Sequence, residues 1–207
     1  MNVLTEKDKN KIIDVYFYLQ DASIEISSCA SLIVMANSFL KHKEYREYIE
    51  QTGQVAILYP SEGTPMAFTT MARVALHNLI INIFKICELI QNRQEVLKNI
   101  PETNKKLNEF KKKYFTNDLK NYRNKYVAHH LDEKEKWLVP LSKLKDTLAR
   151  ILGLQNFDEE FEISSLVSFA QNFHLNDQEK NTNTITGIIH QSSKEIQKLG
   201  ITLKRIQ

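Results

Sequence analysis

Residues 6–41 read EKDKNKIIDVYFYLQDASIEISSCASLIVMANSFLK, and their spacing decides the fold class. Ile12, Val15, Leu19, Ala22, Ile26, Cys29, Ile33, Ala36 and Leu40 recur at alternating steps of three and four. That period predicts one long helix, from about Glu6 to the Lys41 region, with a single apolar seam turned inward. Thr5 stands where an N-cap is needed. Ser27, Ser28 and Ser31 form a soft spot, but the seam runs through it unbroken. A seam of this length belongs to a bundle core or a dimer interface.

Outward from this helix the pattern breaks between Gln51 and Pro65, around Gly53, Pro60, Gly63 and Pro65, which predicts the first connection. Thr64-Pro65 then opens a second helix running to about Asn92. Its apolar residues, among them Val74, Leu79, Ile83, Phe84, Cys87 and Ile90, cover most of its circumference and place it at the bundle centre. His77 lies among them and reads as a satisfied core histidine rather than a ligand. After Asn99-Ile100-Pro101 a third helix is expected from about Thr103 to His130, with Leu107, Phe110, Tyr114, Leu119, Tyr122 and Tyr126 on its inner side and lysines on its outer side. Leu131 to Lys136 reads as a charged turn, and Pro140 opens a fourth helix ended by Gly153. Two more helical segments follow, about Ile163 to Phe173 and Asp177 to Leu199, with 176–184 as a polar connection. With Gly 5 and Pro 4 in 207 residues, breakers are scarce, and an all-α fold follows. The expected organisation is a helical bundle over 1–152 and a C-terminal helical extension over 153–207, packed on the same domain.

The net charge of +3 is unevenly placed. From Lys98 to Lys125 there are nine cations against Glu102, Glu109 and Asp118, a surplus of six that exceeds the charge of the whole chain. Such a stripe is either a solvated face or a polyanion-binding surface. Cys29 and Cys87 each sit in an apolar run and read as buried free thiols. No His, Cys and carboxylate cluster has metal-ligand spacing, so no metal or other cofactor is expected. The start, Met1 to Asn10, is polar and no secretory signal. The most apolar run, Leu79 to Ile90, is interrupted by Asn82, Lys85 and Glu88 and falls short of the ~20 residues of a membrane span. A cytoplasmic protein with no membrane partner is the expectation.

The basic stripe ends in Asn121-Tyr122-Arg123-Asn124-Lys125-Tyr126-Val127-Ala128-His129-His130. A guanidinium, an amide and two imidazoles near one helix end can perform phosphodiester chemistry without a metal. Imidazole both takes and gives a proton near neutrality, and guanidinium offers a fixed fork of donors to phosphoryl oxygens. The bland alternative makes His129 and His130 dipole caps and pairs Arg123 with Asp118 or Asp132 on the surface. On a continuous helix His129 falls about 120° from Arg123 and His130 within about 20°. Either the helix unwinds around Ala128, or His130 is the partner.

Arg123-Asn124-Lys125-Tyr126-Val127-Ala128-His129 resembles the signature of the HEPN superfamily, an Arg followed by four to six residues and a His, with a polar residue beside the Arg. The continuation His130-Leu131-Asp132 is similar to the abortive-infection U-type subgroup. The resemblance covers roughly residues 5–152 and implies an antiparallel helical bundle that forms a homodimer, two motifs facing each other in one composite cleft at the two-fold interface. It also implies metal-independent RNA cleavage leaving a 2′,3′-cyclic phosphate, in phage defence or as a toxin, with a possible antitoxin protein as partner. In that reading His129 is the general base, Arg123 holds the phosphorane charge and Asn124 orients Arg123 or a phosphate oxygen. His130 is the substitute base or the acid for the leaving oxygen. Lys113, Lys120, Lys125 and Tyr126 would contact the RNA, the tyrosine by stacking. Two other readings stay open: a catalytically inactive HEPN-type dimer that binds RNA, a nucleotide or a protein, and a helical interaction protein whose Arg/His stretch is only a cap. The placement of Arg123 discriminates among them.

Overall fold

Thr5 opens the first helix as its spacing suggests. Its hydroxyl accepts the Asp8 backbone N–H at 3.2 Å and donates to the Asp8 carboxylate at 2.6 Å. The hydroxyl's hydrogen bond holds the Asp8 carboxyl below the usual carboxylate range. We describe the chain from a computed structural model over residues 4–41, 64–124, 131–132, 137–138, 141–155, 163–173 and 184–204. Helix α1 spans Glu6–Lys41 without interruption. Eight of its nine seam residues, Ile12 through Ala36, are buried; the Leu40 side chain lies outside the described residues. The serine-rich stretch does not bend away. Ser27 is buried, and its hydroxyl donates to the Phe173 carbonyl at 3.4 Å.

Helix α2, Thr64–Asn92, begins at the Thr64-Pro65 pair and lies along α1. Ile80, Ile83, Ile86, Cys87 and Ile90 have no solvent exposure, which makes α2 the central helix. Val74 departs from that pattern and is 52% exposed, so the apolar coat is not continuous. Over Thr70–Asn92, 23 residues, α2 is long and apolar enough by length and composition to cross a membrane, which corrects the shorter apolar run read from the sequence. Its central burial accounts for that apolarity, since a helix covered on most sides needs few polar positions.

A single turn, α3 (Gln94–Leu97), leads to α4 (Pro101–Tyr114). The expected continuous third helix from Thr103 to His130 does not form. The chain breaks at Phe115-Thr116 and restarts as α5 (Asn117–Asn121), because the Thr116 side chain accepts the Leu119 N–H at 3.2 Å from an extended backbone position. An N-cap hydroxyl satisfies a donor that would otherwise be orphaned at a helix start. Leu131–Asp132 and Trp137–Leu138 then pair antiparallel as β1 and β2, a two-strand clip where only a charged turn was expected.

Helix α6, Leu141–Leu152, ends at Gly153, whose φ of 76° lets the Leu154 N–H reach back to the Ala149 carbonyl at 2.8 Å. This left-handed stop is the one glycine supplies without strain. Helix α7 spans Ile163–Gln171 and α8 spans Ile185–Lys198. The expected start of α8 near Asp177 is corrected: Thr184 is extended and its hydroxyl accepts the Gly187 N–H at 3.2 Å, so the helix begins after it.

The element contacts explain how the basic segment is held. Helix α1 touches α2, α7 and α8; α4 lies between α2 and α8; α5 lies on α6 and α2. Helix α4 has no side-chain cap of its own at Ile100. Glu195 of α8 supplies one, its carboxylate accepting the Glu102 and Thr103 N–H groups at 3.0 and 2.9 Å and the Thr103 hydroxyl at 2.7 Å. An anion at a helix N-terminus satisfies two orphan donors and opposes the dipole. Glu195→Ala is expected to cost about 1–2 kcal/mol, read as a lower urea midpoint at unchanged m-value; Glu195→Gln should recover part of it.

Candidate functional site

The break at Phe115 builds the site. Where a continuous helix would carry Phe115 onward, the turn brings its ring against Phe84 of α2, centroids 5.4 Å apart at 50°. Asp118, in the first turn of α5, accepts from Arg150 Nε of α6 at 2.8 Å, which ties the short helix to its neighbour. Asp118 is therefore not the partner of Arg123 that the bland reading allowed.

At its end α5 widens into a π-helical turn over 122–124. Such turns insert one residue into the ladder and re-aim the side chains beyond it. Tyr122 points inward with no solvent exposure, its ring edge-on to His77 of α2 at 5.6 Å and 90°. His77 is thus a half-buried packing partner beside the site. Arg123 is half-buried and Asn124 exposed. Arg123 Nη1 donates to Asn124 Oδ1 at 2.9 Å, and its Cζ lies 5.1 Å from the Phe84 ring centre. On the other side of the aromatic pair, Lys120 Nζ sits 4.2 Å from the Phe115 ring centre. Each such contact stabilises a cation by about 0.5–2 kcal/mol, more as water is excluded.

The structure thus brings together Lys120, Arg123 and Asn124 of the residues read from the sequence. Lys113 is exposed and lies over a different ring, Tyr114, at 4.8 Å. Lys125, Tyr126, His129 and His130 lie outside the described residues. Phe84 and Phe115 were missed as site residues. The sequence did carry a signal for the second of them: Thr116-Asn117-Asp118 places a capping hydroxyl and an acidic first turn directly after Phe115. Cys87 lies behind this surface, fully buried. Burial pushes its thiol up to about 12, with Lys111 and Lys120 pulling the other way. Among the described residues no group of three or more His, Cys, Asp or Glu could hold a metal ion.

An all-α bundle in which a basic segment ends in an Arg-Asn pair fits an HEPN-like helical domain. The chain belongs to the HEPN-like integron domain family, whose model matches residues 8–157, from α1 through α6. Helices α7 and α8 follow the matched range. Comparison with curated proteins and with solved structures gives no match.

Proposed function

We propose that the protein is a metal-independent endoribonuclease of HEPN type that acts in phage defence or as a toxin, in the manner of the abortive-infection U-type proteins. The observation that carries this reading is Arg123: a half-buried guanidinium, steadied by Asn124 and the Phe84 ring, with no carboxylate partner among the described residues. A fixed fork of donors that no described carboxylate compensates is suited to a phosphoryl group that gains charge in the transition state.

In the proposed reaction His129, or His130 in its place, takes the ribose 2′-hydroxyl proton. The 2′-oxygen attacks the adjacent phosphorus, the bond to the 5′-oxygen breaks, and an imidazolium returns a proton to that leaving oxygen. The products are a 2′,3′-cyclic phosphate and a 5′-hydroxyl. Two copies meeting at a two-fold interface would supply each residue twice, so that acid and base come from different protomers. The testing experiment incubates purified protein with total RNA, with and without EDTA, and maps the ends. Discrete products with cyclic phosphate termini in EDTA are expected. A strict metal requirement overturns the mechanism. Binding without cleavage turns the reading to the inactive RNA-, nucleotide- or protein-binding dimer, because Lys120 and Arg123 serve binding equally well.

A further inference from the structure

Lys120, Phe115, Phe84 and Arg123 form a ladder drawn from α5, the link before it and α2: cation over ring, ring against ring, cation over ring, at 4.2, 5.4 and 5.1 Å. The two cations are three residues apart at one end of a short helix, where such side chains are surface neighbours. Both are half-buried, and like charges held this way repel. The nearest carboxylate in sequence, Asp118, is taken by Arg150. Among the described residues neither Lys120 nor Arg123 has an ion-pair partner. The rings attract the cations through their quadrupoles but carry no net charge. The ladder therefore orders two positive charges that no described residue neutralises, an arrangement that an anion completes.

We infer that Lys120 and Arg123 form a two-cation site for a phosphate group, and that Phe84 and Phe115 are its positioning residues. Holding both long side chains over rings removes, before binding, the rotamer freedom that an anion would otherwise have to freeze. Arg123 presents its fork to two oxygens while Asn124 Oδ1 occupies one of its donors. Lys120 supplies a point charge beside it. The inference rests on the proposed function only in taking Arg123 as an anion-facing side chain, and it requires no cleavage. The phosphate belongs either to an RNA backbone or to a free nucleotide.

The full-length protein is titrated with a labelled oligouridylate and with ATP over a range of salt. Lys120→Gln is expected to flatten the slope of log affinity against log salt for the oligouridylate by about 0.7, one phosphate contact on a single strand. Phe115→Leu and Phe84→Leu keep the charge and most of the apolar volume. Each is expected to weaken binding about two- to tenfold, the freedom of one long side chain, with the slope unchanged. Lys9→Gln on α1, where Lys9 pairs with Glu6, removes the same charge elsewhere and should change nothing. Thermal melts of all variants separate lost positioning from lost folding; Phe115, half-buried, is the safer of the two rings to replace. The ligand bound more tightly identifies the source of the phosphate. Equal behaviour of Lys120→Gln and Lys9→Gln, or no effect of either leucine variant, overturns the inference. Cleavage without a Lys120 effect sinks the inference and leaves the nuclease reading; a Lys120 effect on binding without cleavage does the reverse.

Discussion

Arg123→Ala is expected to lower RNA cleavage by about 10²–10³-fold, the loss seen when one preorganised donor to a developing oxyanion is removed. The effect should fall on the chemical step. A neutral ground-state contact would raise the substrate requirement alone, whereas a donor that meets charge only in the transition state lowers turnover. Arg123→Lys keeps the charge but not the fork, nor the planar face that lies over Phe84. It should therefore recover only part of the rate. Folding should be little affected, because among the described residues Arg123 makes no ion pair and touches Asn124 and one ring. Undiminished cleavage by Arg123→Ala would remove the proposed mechanism. Mixing Arg123→Ala with His129→Ala adds a test of the two-fold arrangement. If each cleft takes its residues from both protomers, mixed dimers contain one intact set, and activity returns from two inactive parents. No recovery, with subunit exchange demonstrated, would mean that each copy works alone.

The long first helix was legible because its seam obeys one period for nearly its whole length, and seam residues Ile12 to Ala36 are buried as that period requires. The break in the third helix was not, because a helical pattern runs on both sides of it. Phe110 and Tyr114 keep helical spacing before it and Phe115, Leu119 and Tyr122 after it, so the seam slips by a single residue between Tyr114 and Phe115. A slip of one residue is small enough to pass for a single helix. The hydroxyl at Thr116, bonded to the Leu119 N–H, fixes the second start. Val74 shows the opposite limit: its apolarity marks it as core, but its 52% exposure depends on which neighbours happen to cover that side of α2.

Of the site, the Arg123-Asn124 pair could be read from local sequence, and the structure joins them by a hydrogen bond. The aromatic support could not. Phe84 was accounted for as core of α2, and Phe115 as one more residue of a continuous helix. Their meeting depends on the turn at 115–116 and on α5 lying against α2. Polarity marks a residue that acts directly on an anion, but nothing in composition marks a ring that holds such a residue still. The capping of α4 by Glu195 was hidden for the same reason, since it joins segments distant in the chain.

Tyr122→Ala is expected to destabilise the fold by about 3–5 kcal/mol, the range for emptying a large buried aromatic site. Tyr122 heads the fully buried large side chains and stands immediately before Arg123, so one residue anchors the core and aims the next. A single turn of helix has little stability of its own. Helix α5 is five residues long, and what fixes it is the Thr116 cap, the Arg150 tie and the burial of Leu119 and Tyr122. The surface tie contributes about 0–1 kcal/mol and the cap about 1 kcal/mol, so the buried tyrosine dominates. Removing it also leaves the His77 ring without its edge contact. Urea unfolding should show the loss as a lower midpoint, and Tyr122→Phe, which keeps the ring, should lose far less. Under conditions where Tyr122→Ala is still folded, the turn at 122–124 has lost its inward hold, and affinity for RNA should fall although every cation is present. A Tyr122→Ala protein within about 1 kcal/mol of the parent, binding RNA as well, would show that α5 is held by something other than its buried face, and that Arg123 is not positioned through the core.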